Sequence, residues 1–442
     1  MENVFFIGIN GIGMSALAKI MVKKGYKVYG SDLKKKEVSE ELERLGVKIY
    51  YKHTDVNVRL MDMIVYSSAI KRNNPEYIYG ILNNIKLIRR GELLAKLLNA
   101  KKGIAVSGTH GKTSTSSMMG VVSLELDPTI AVGGIIPEIK SNGKYGEGEY
   151  FVAEADESDN SFLGLYPEYS IITNIEEEHM EIHGSYDNLK RSFNQFLTQT
   201  SKYSIINMDC EELFEISKRH DKIKTYSIIN EKADIYAKNI KKGKDTIKYD
   251  VVLEGKELGT FVLKFIGEHN VSNSLGVIYI AKELGISTKD IKEKLENFIG
   301  PKRRFEILYN NKITIVDDYA HHPTEVEATL KVAKDRKHPK IISIFQPHKY
   351  SRTNFLLKKY TDAFKDADEV IMLPIYSAGE INEYDISVEK LVGNIDKKIT
   401  IIKEKEKLFQ KLSEYKNNEI CVFMGAGDIS NIAKELVERI KR

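Results

Sequence analysis

Two cysteines in 442 residues, Cys210 and Cys421, are too few for a disulfide framework and form no metal-type spacing. At most one disulfide is available, which suits a reducing compartment, and each cysteine also reads as a small apolar residue. Charge of one sign is missing as well: 67 basic and 63 acidic residues leave a net charge of +4, mixed along the chain, so nothing indicates a nucleic-acid partner. No stretch approaches the roughly 18 apolar residues of a membrane span, and MENVFFIGIN has an acid where a secretory signal would carry basic residues. Short-period repeats and low-complexity segments are lacking too. What remains is a chain 42% hydrophobic and 29% charged, long enough for about two to four cores. The expectation is a globular protein of the cytoplasm, with three domains and no membrane partner.

Three stretches alternate strand and helix. NVFFIGINGIGMSALAKIMVKKGYKVYGSD reads as an apolar run, a glycine turn, an amphipathic helix and a second strand closing at Asp32. DMIVYSSAI is a further strand ending in Ser67 and Ser68, and RRGELLAKLL is a helix that closes this part near residue 98. A second start, KKGIAVSGTHGKTSTSSMMGVV, is followed by strands in YFVAEADES and YSIITNIEEEH, both ending in clustered acids and histidine. The third is ITIVDDYAHHPTEVEATLKVAK, with KIISIFQPHKYSRT, DEVIMLPIYSAGE and EICVFMGAGD after it. Such alternation predicts parallel sheets with helices on both faces, and ligands at the ends of the strands.

Two glycine loops stand out. GINGIGMSA sets Gly8, Gly11 and Gly13 between a strand and a helix, where backbone amides and a helix N-terminus can hold a pyrophosphate. Asp32 follows 19 residues after Gly13, where an acid takes a ribose hydroxyl. The spacing is G-x-x-G-x-G, not the dinucleotide G-x-G-x-x-G, so NAD, another nucleotide diphosphate and a structural turn all stand, with the second favoured. SGTHGKTST is the more specific loop. Gly108 and Gly111 let the backbone curl around phosphate oxygens, Lys112 supplies a cation, and Thr113 offers a hydroxyl to magnesium. It is a shortened P-loop. Metal-bound ATP needs an acid at a neighbouring strand end, and Glu154 is so placed in YFVAEADESD. The next strand delivers His179 beside three glutamates, which could equally pair with it.

DDYAHHP, residues 317–323, contains enough ligands on paper for a metal site, although His322 directly before Pro323 can simply shape a turn. The chain as a whole resembles the Mur ligase family. GINGIGMSALA, YSSAI, GTHGKTSTSSM, EADESDNSFL, TNIEEEHMEIHG, GEHNVSNSLGV, KRRFE, DDYAHHPTE, QPHKYSRT and YSAGE carry the resemblance, in order and nearly end to end. They fit best the branch that attaches L-alanine, and next the recycling branch that attaches a tripeptide to the same UDP-sugar. A motor or regulatory P-loop ATPase would leave the first loop unexplained, and a nicotinamide oxidoreductase the second.

The resemblance implies an α/β chain of three domains. A Rossmann-like N-terminal domain for the UDP-sugar would span 1–98, a central P-loop ATPase domain 99–302, and a Rossmann-like C-terminal domain that brings the amino acid 303–442. It implies that ATP phosphorylates the lactyl carboxylate of UDP-N-acetylmuramate, after which the L-alanine amine attacks the acyl phosphate to form an amide of peptidoglycan synthesis. Gly8, Gly11, Gly13, Met14, Asp32, Ser67 and Ser68 would serve the UDP-sugar. Gly108, Thr109, His110, Gly111, Lys112, Thr113 and Ser114 would meet the ATP phosphates, Asn270 and Asn273 the adenine, Asp318 the ribose, and Arg304 would lie near ATP. Thr113 and Glu154 would hold one Mg2+ (or Mn2+) and His179 a second, with Lys112, Glu154 and His179 as the catalytic set. Tyr319, His321, Lys349 and Arg352 would approach the alanine, which makes a metal the poorer reading of DDYAHHP. A monomer or weak homodimer is expected.

Two departures from the family pattern are visible. Lys349 stands where the first arginine of an Arg-x-x-Arg pair is usual, offering a point charge in place of a planar fork. Asn194 occupies the position at which some members carry a carbamylated lysine, so that modification is not expected.

Overall fold

The computed structural model describes residues 2–395 and 397–442. Three sheets form. The first contains β1 (Asn3–Ile7), β2 (Lys27–Ser31), β3 (Lys48–Tyr50), β4 (Met63–Tyr66) and β5 (Lys86–Arg89), in the order β3-β2-β1-β4-β5. All of its pairings are parallel. The register sets Ile7 level with Ser31 and Tyr66, and Tyr66 level with Arg89, so Gly8, Asp32, Ser67 and Arg90 leave the sheet along one edge. Phe5, Phe6 and Ile7 are fully buried. A strand covered on both faces reads as a continuous apolar run rather than an alternating one.

The second sheet holds β6 (Lys102–Ser107), β7 (Thr129–Ile136), β8 (Ser141–Lys144), β9 (Tyr150–Glu154), β10 (Tyr169–Ile172), β11 (Tyr203–Asn207), β12 (Ile223–Ser227), β13 (Ile235–Lys242), β14 (Ile247–Leu253) and β15 (Lys256–Leu263). Its order is β15-β14-β13-β12-β11-β10-β6-β9-β7-β8. At its centre β6 pairs in parallel with β9 and β10, which sets Val106 opposite Glu154 and Ser107 opposite Ile172. The loop after β6 therefore opens between two strand ends. The antiparallel hairpin β7–β8 and the strands β13 to β15 extend the sheet beyond the parallel alternation read from the sequence.

The third sheet has β16 (Glu306–Asn310), β17 (Thr314–Asp318), β18 (Ile341–Phe345), β19 (Glu369–Met372), β20 (Ile399–Ile401) and β21 (Ile420–Met424), in the order β16-β17-β21-β18-β19-β20. Only the edge strand β16 runs antiparallel. Alternate residues of β21 enter different cores: Ile420, Val422 and Met424 one, Cys421 and Phe423 the other. Burial pushes the Cys421 thiol up to about 12, where it is an inert apolar residue. Asp318 ends level with Met424, and Phe345 with the same residue, so DDYAHHP and QPH emerge at one edge.

The chain forms two compact units, Met1–Asn239 with Tyr249–Phe261 and Asn270–Phe298, and Ile240–Lys248 with Val262–His269 and Ile299–Arg442. Within the first unit one core runs from Phe6 and Leu17 of the N-terminal part through Ala131 and Phe151 to Phe193 and Phe196. Among the described residues no helix is long and apolar enough to cross a membrane.

Candidate active site

The N-terminal glycine loop is held open by its own backbone. Gly8, with φ of 80°, and Ile9 both donate to the Ser31 carbonyl at 2.9 and 3.0 Å. Gly11 caps the helix Ile12–Lys23, in which Met14 is buried. Asn10, which the sequence reading passed over, keeps the loop in place. Its N–H donates to Asp32 Oδ2 at 3.0 Å, its amide donates to the Lys34 carbonyl, and its side-chain oxygen accepts from Ser39 Oγ. Asp32 follows the end of β2 and also takes the Leu33 N–H, leaving further lone pairs on both oxygens. Ser67 Cβ stands 3.6 Å from where a Cβ on Gly8 would be. Arg90, at the end of β5, lies over Gly13: its Nη1 is 3.0 Å from the place of a Cβ there. The same guanidinium sits 3.6 Å from Asp156 and Asp159. Ser68, Arg72, Arg89 and Arg90 border a cavity of about 730 Å³.

The second loop has the geometry of a phosphate cradle. Gly108 (φ 131°) and Gly111 (φ 83°) adopt backbone that L side chains avoid, and a Cβ on Gly108 would collide with Thr173 Oγ1. Thr109 N–H donates to the Asn174 carbonyl, and His110 N–H to the Asn174 side chain at 2.9 Å. Thr109 Oγ1 accepts from Glu176 N–H at 2.8 Å, and the His110 ring lies 3.5 Å from the Glu176 carboxylate. Lys112 opens the helix Lys112–Val122 and folds back on the loop, donating to the carbonyls of Gly108 (2.6 Å) and Thr109 (3.1 Å) and to Glu157 (2.9 Å). Burial works against its charge, but Glu157, Asp156 and Glu154 outweigh that and hold its pKa above the usual lysine range. Ser114 is buried in the same helix.

Thr113 Oγ1 donates to Glu154 Oε2 at 2.9 Å, and Gly133 N–H donates to the same oxygen at 2.8 Å. A hydroxyl and a carboxylate side by side at a strand end are hard oxygen donors, the set that suits magnesium. Asn270 and Asn273 are buried on the helix Glu268–Glu283, and Asn273 Oδ1 comes within 3.1 Å of where a Cβ on Gly111 would stand. Asn273 Nδ2 is buried without a protein acceptor among the described residues, an unmet donor beside the phosphate loop. His179 adopts left-handed backbone (φ 57°) before the helix Met180–His183, its ring 3.9 Å from Glu178. Asn194 faces His220, 3.0 Å away. A cavity of about 80 Å³ is bordered by Gly13 of the first loop and Arg90 on one side, and by Gly133, Glu154 and Asp156 on the other. The first loop thus faces the strand end that carries Glu154, the carboxylate bonded to Thr113.

In the second unit DDYAHHP distributes its side chains. Asp317 is fully buried and accepts from Ser430 Oγ. Asp318, on the other face of β17, accepts the N–H groups of Phe305 and Ala320, both at 2.7 Å. Burial pushes its carboxyl up to about 6 against the pull of Arg304. His322 caps the helix Pro323–Asp335 by accepting from Thr324 N–H. Arg304 packs over the Tyr319 ring, 5.5 Å from its centroid, and lies 3.5 Å from Glu325. Tyr319 meets His321 edge to face at 5.5 Å, and His321 lies 6.1 Å from His348. Arg352 donates to His348 Nδ1 at 3.1 Å, and His348 stacks on Tyr376. Burial, then the neighbouring His321 and Arg352, lower His348 to about 3, so it is neutral and accepts. Tyr319, His321 and Arg352 are therefore brought together through His348, a residue the sequence reading did not single out although it lies within QPHKYSRT. Lys349 is positioned by its backbone, with φ of 69° and its N–H donated to the Tyr376 carbonyl.

Comparison with known proteins agrees with this geometry. Residues 3–102 match the family description "Mur ligase family, catalytic domain", 106–281 "Mur ligase middle domain", and 303–427 "Mur ligase, glutamate ligase domain". The chain is 49% identical to a UDP-N-acetylmuramate–L-alanine ligase of Fusobacterium nucleatum, over 100% of this chain and 97% of that protein. It is 40% identical to the protein of the same name from Aquifex aeolicus, over 98% and 97%. Among solved structures, the UDP-N-acetylmuramate-alanine ligase MurC of Thermotoga maritima superposes with a TM-score of 0.86 at 29% identity, covering 100% and 99% of the two chains. A murein peptide ligase from Psychrobacter arcticus shares the fold, with a TM-score of 0.76 at 22% identity over 99% and 98%. Relatives this similar along the whole length place the chain in the Mur ligase family of enzymes.

Proposed function

We propose that this enzyme joins L-alanine to the lactyl carboxylate of UDP-N-acetylmuramate, with ATP converted to ADP and phosphate, in the cytoplasmic stage of peptidoglycan synthesis. The observation that carries the reading is the cavity in which Gly13 of the N-terminal loop and Arg90 face Gly133 and Glu154, the carboxylate bonded to Thr113 of the second loop. A phosphoryl donor and an anionic acceptor need such a meeting place.

In this reading Gly8, Gly11, Gly13, Met14, Asp32, Ser67 and Ser68 hold the UDP-sugar, and Arg90 joins them through its place over Gly13. The loop Gly108–Ser114 cradles the ATP phosphates, with Asn270 and Asn273 at the adenine, Asp318 at the ribose and Arg304 beside it. Lys112 has its donors occupied by two carbonyls and Glu157, so it exchanges the Glu157 carboxylate for phosphate oxygens when ATP arrives. Thr113 and Glu154 supply hydroxyl and carboxylate oxygen to Mg2+ or Mn2+, and His179 serves a second cation. Bound there, the metal offsets the charge that gathers on the transferring phosphoryl oxygens. Tyr319, His321 and Arg352 orient the alanine, with Lys349 contributing its charge from the adjacent turn. No side chain is needed as a covalent nucleophile, because the substrate carboxylate attacks phosphorus directly.

Binding calorimetry tests the reading at its first step. UDP-N-acetylmuramate should bind the protein in the absence of ATP, and NAD should give no heat. The opposite pattern would overturn the assignment.

A further inference from the structure

The hairpin β7–β8 grips two things. In the middle of β7, Gly133 donates its N–H to Glu154 Oε2 at 2.8 Å, and its Cα side lies so close that a Cβ there would stand 2.6 Å from that oxygen. Across the hairpin from it, β8 is pressed on the helix Ile12–Lys23, which carries the N-terminal glycine loop. A Cβ on Gly143 would come within 2.6 Å of the Ala16 carbonyl oxygen and 2.7 Å of Ala16 Cα, so the backbones touch. Beside it Asn142, fully buried, donates to the Ile12 carbonyl at 2.5 Å and to Ser15 Oγ at 3.1 Å. Its oxygen accepts from Lys19 Nζ at 2.8 Å. Lys19 is only 4% exposed, and its ammonium also meets Ser141 Oγ at 3.0 Å and Glu41 at 2.7 Å.

An adhesive contact between helix and hairpin would be better made of apolar groups, since removing an ammonium from water is costly and burial lowers the Lys19 pKa despite Glu41. What a fully paired polar network adds is direction: each bond has one satisfactory geometry. Ile12 opens the helix between Gly11 and Gly13, so Asn142 acts on the turn that borders the cavity opposite Glu154. We infer that Asn142, anchored by Lys19, is a positioning residue for the ligation: through β7–β8 it sets the glycine loop against the Glu154 carboxylate, and so the acceptor carboxylate against the phosphoryl donor. This rests on the proposed two-substrate reading. Asn142 is fully buried against the helix, so it acts through the loop rather than on the substrate itself.

Misplacing reacting groups by about 1 Å can cost on the order of 100-fold in rate while leaving binding intact. Asn142→Ala should therefore lower kcat roughly 10- to 100-fold, with the separate Kd values for UDP-N-acetylmuramate and ADP, measured calorimetrically, each within about threefold of the parent. Asn142→Asp keeps an acceptor for Lys19 but loses the donor to Ile12, and should be as slow as the alanine variant. Should Asn142→Ala fail to fold, Lys19→Met, which keeps the stem and removes the anchor, should lower kcat about three- to tenfold with the same unchanged Kd values. A role confined to stability would lower Tm and leave kcat of the folded protein alone. Parental kcat in folded Asn142→Ala, full activity in Asn142→Asp, or a fall in kcat matched by an equal rise in the UDP-sugar Kd would each overturn the inference. A parent that binds no UDP-N-acetylmuramate would instead overturn the functional reading on which it stands.

Discussion

Replacing Arg352 by alanine should remove the main grip on the amino-acid carboxylate. Its guanidinium donates to the neutral His348 Nδ1 at 3.1 Å, and its planar fork matches a carboxylate in a two-pronged, charge-assisted contact. A charge-assisted contact of that kind is worth about 1.5 to 3 kcal/mol. No nearby group replaces it, because burial and the flanking His321 and Arg352 keep His348 near a pKa of about 3 and uncharged at neutral pH. Removing Arg352 relieves only one of the lesser of those causes. Lys349 is a compact point charge and cannot span both oxygens. The alanine KM should rise roughly 10- to 150-fold, with the constants for ATP and UDP-N-acetylmuramate within about twofold. Initial rates of phosphate release with each substrate varied in turn measure this. An alanine KM unchanged by Arg352→Ala would show that the Tyr319, His321, His348 and Arg352 cluster is not the amino-acid site.

Lys112→Ala should abolish turnover while UDP-N-acetylmuramate still binds with nearly parental Kd, because the cation belongs to the second loop alone; calorimetry showing equal loss of sugar binding in folded protein would contradict separate sites. Glu154→Ala removes the acceptor of both Thr113 Oγ1 and Gly133 N–H and should raise the Mg2+ concentration for half-maximal rate at least tenfold or stop catalysis, and an unchanged Mg2+ titration would identify another acid as the ligand. Burial raises the Asp318 carboxyl to about 6, above its unfolded value near 4, so the fold holds an extra proton between these limits and loses stability as pH rises through them. A ribose hydroxyl donated to the ionised form reverses that preference: ATP should bind more tightly as pH rises from about 5 to 7 and release protons, read as a buffer-dependent heat that Asp318→Asn eliminates. Lys349→Arg should be tolerated and should lower the alanine KM, whereas a rise would mean that this backbone, at φ of 69°, cannot aim a fork at the substrate.

The glycine loops, Lys112, Thr113, Glu154 and the DDYAHHP edge were legible because each follows an apolar run, and a parallel strand buried on both faces must end in its first polar residue. What stayed hidden depends on partners distant in sequence. Glu157 stands in the same EADESD stretch as Glu154, yet only the fold turns it onto Lys112. Arg90 follows a strand end as the rule requires, but its place over Gly13 arises from the level register of β1, β4 and β5. The hairpin β7–β8 carries no chemistry-bearing motif, and its value lies in the close backbone approach at Ala16. His348 offered a signal inside QPHKYSRT, since a histidine just after an apolar strand is placed like the acids that were selected. Asn10 offered less, being one polar residue among glycines.

The most direct test mixes purified protein with ATP, Mg2+, UDP-N-acetylmuramate and one amino acid at a time, and follows phosphate release together with the mass of the UDP-sugar product. The account predicts phosphate release that requires both UDP-N-acetylmuramate and an amino acid, with L-alanine preferred, and a product heavier by one alanyl residue for each phosphate released. Phosphate release indifferent to L-alanine, or an unaltered UDP-sugar mass after complete ATP consumption, would contradict it.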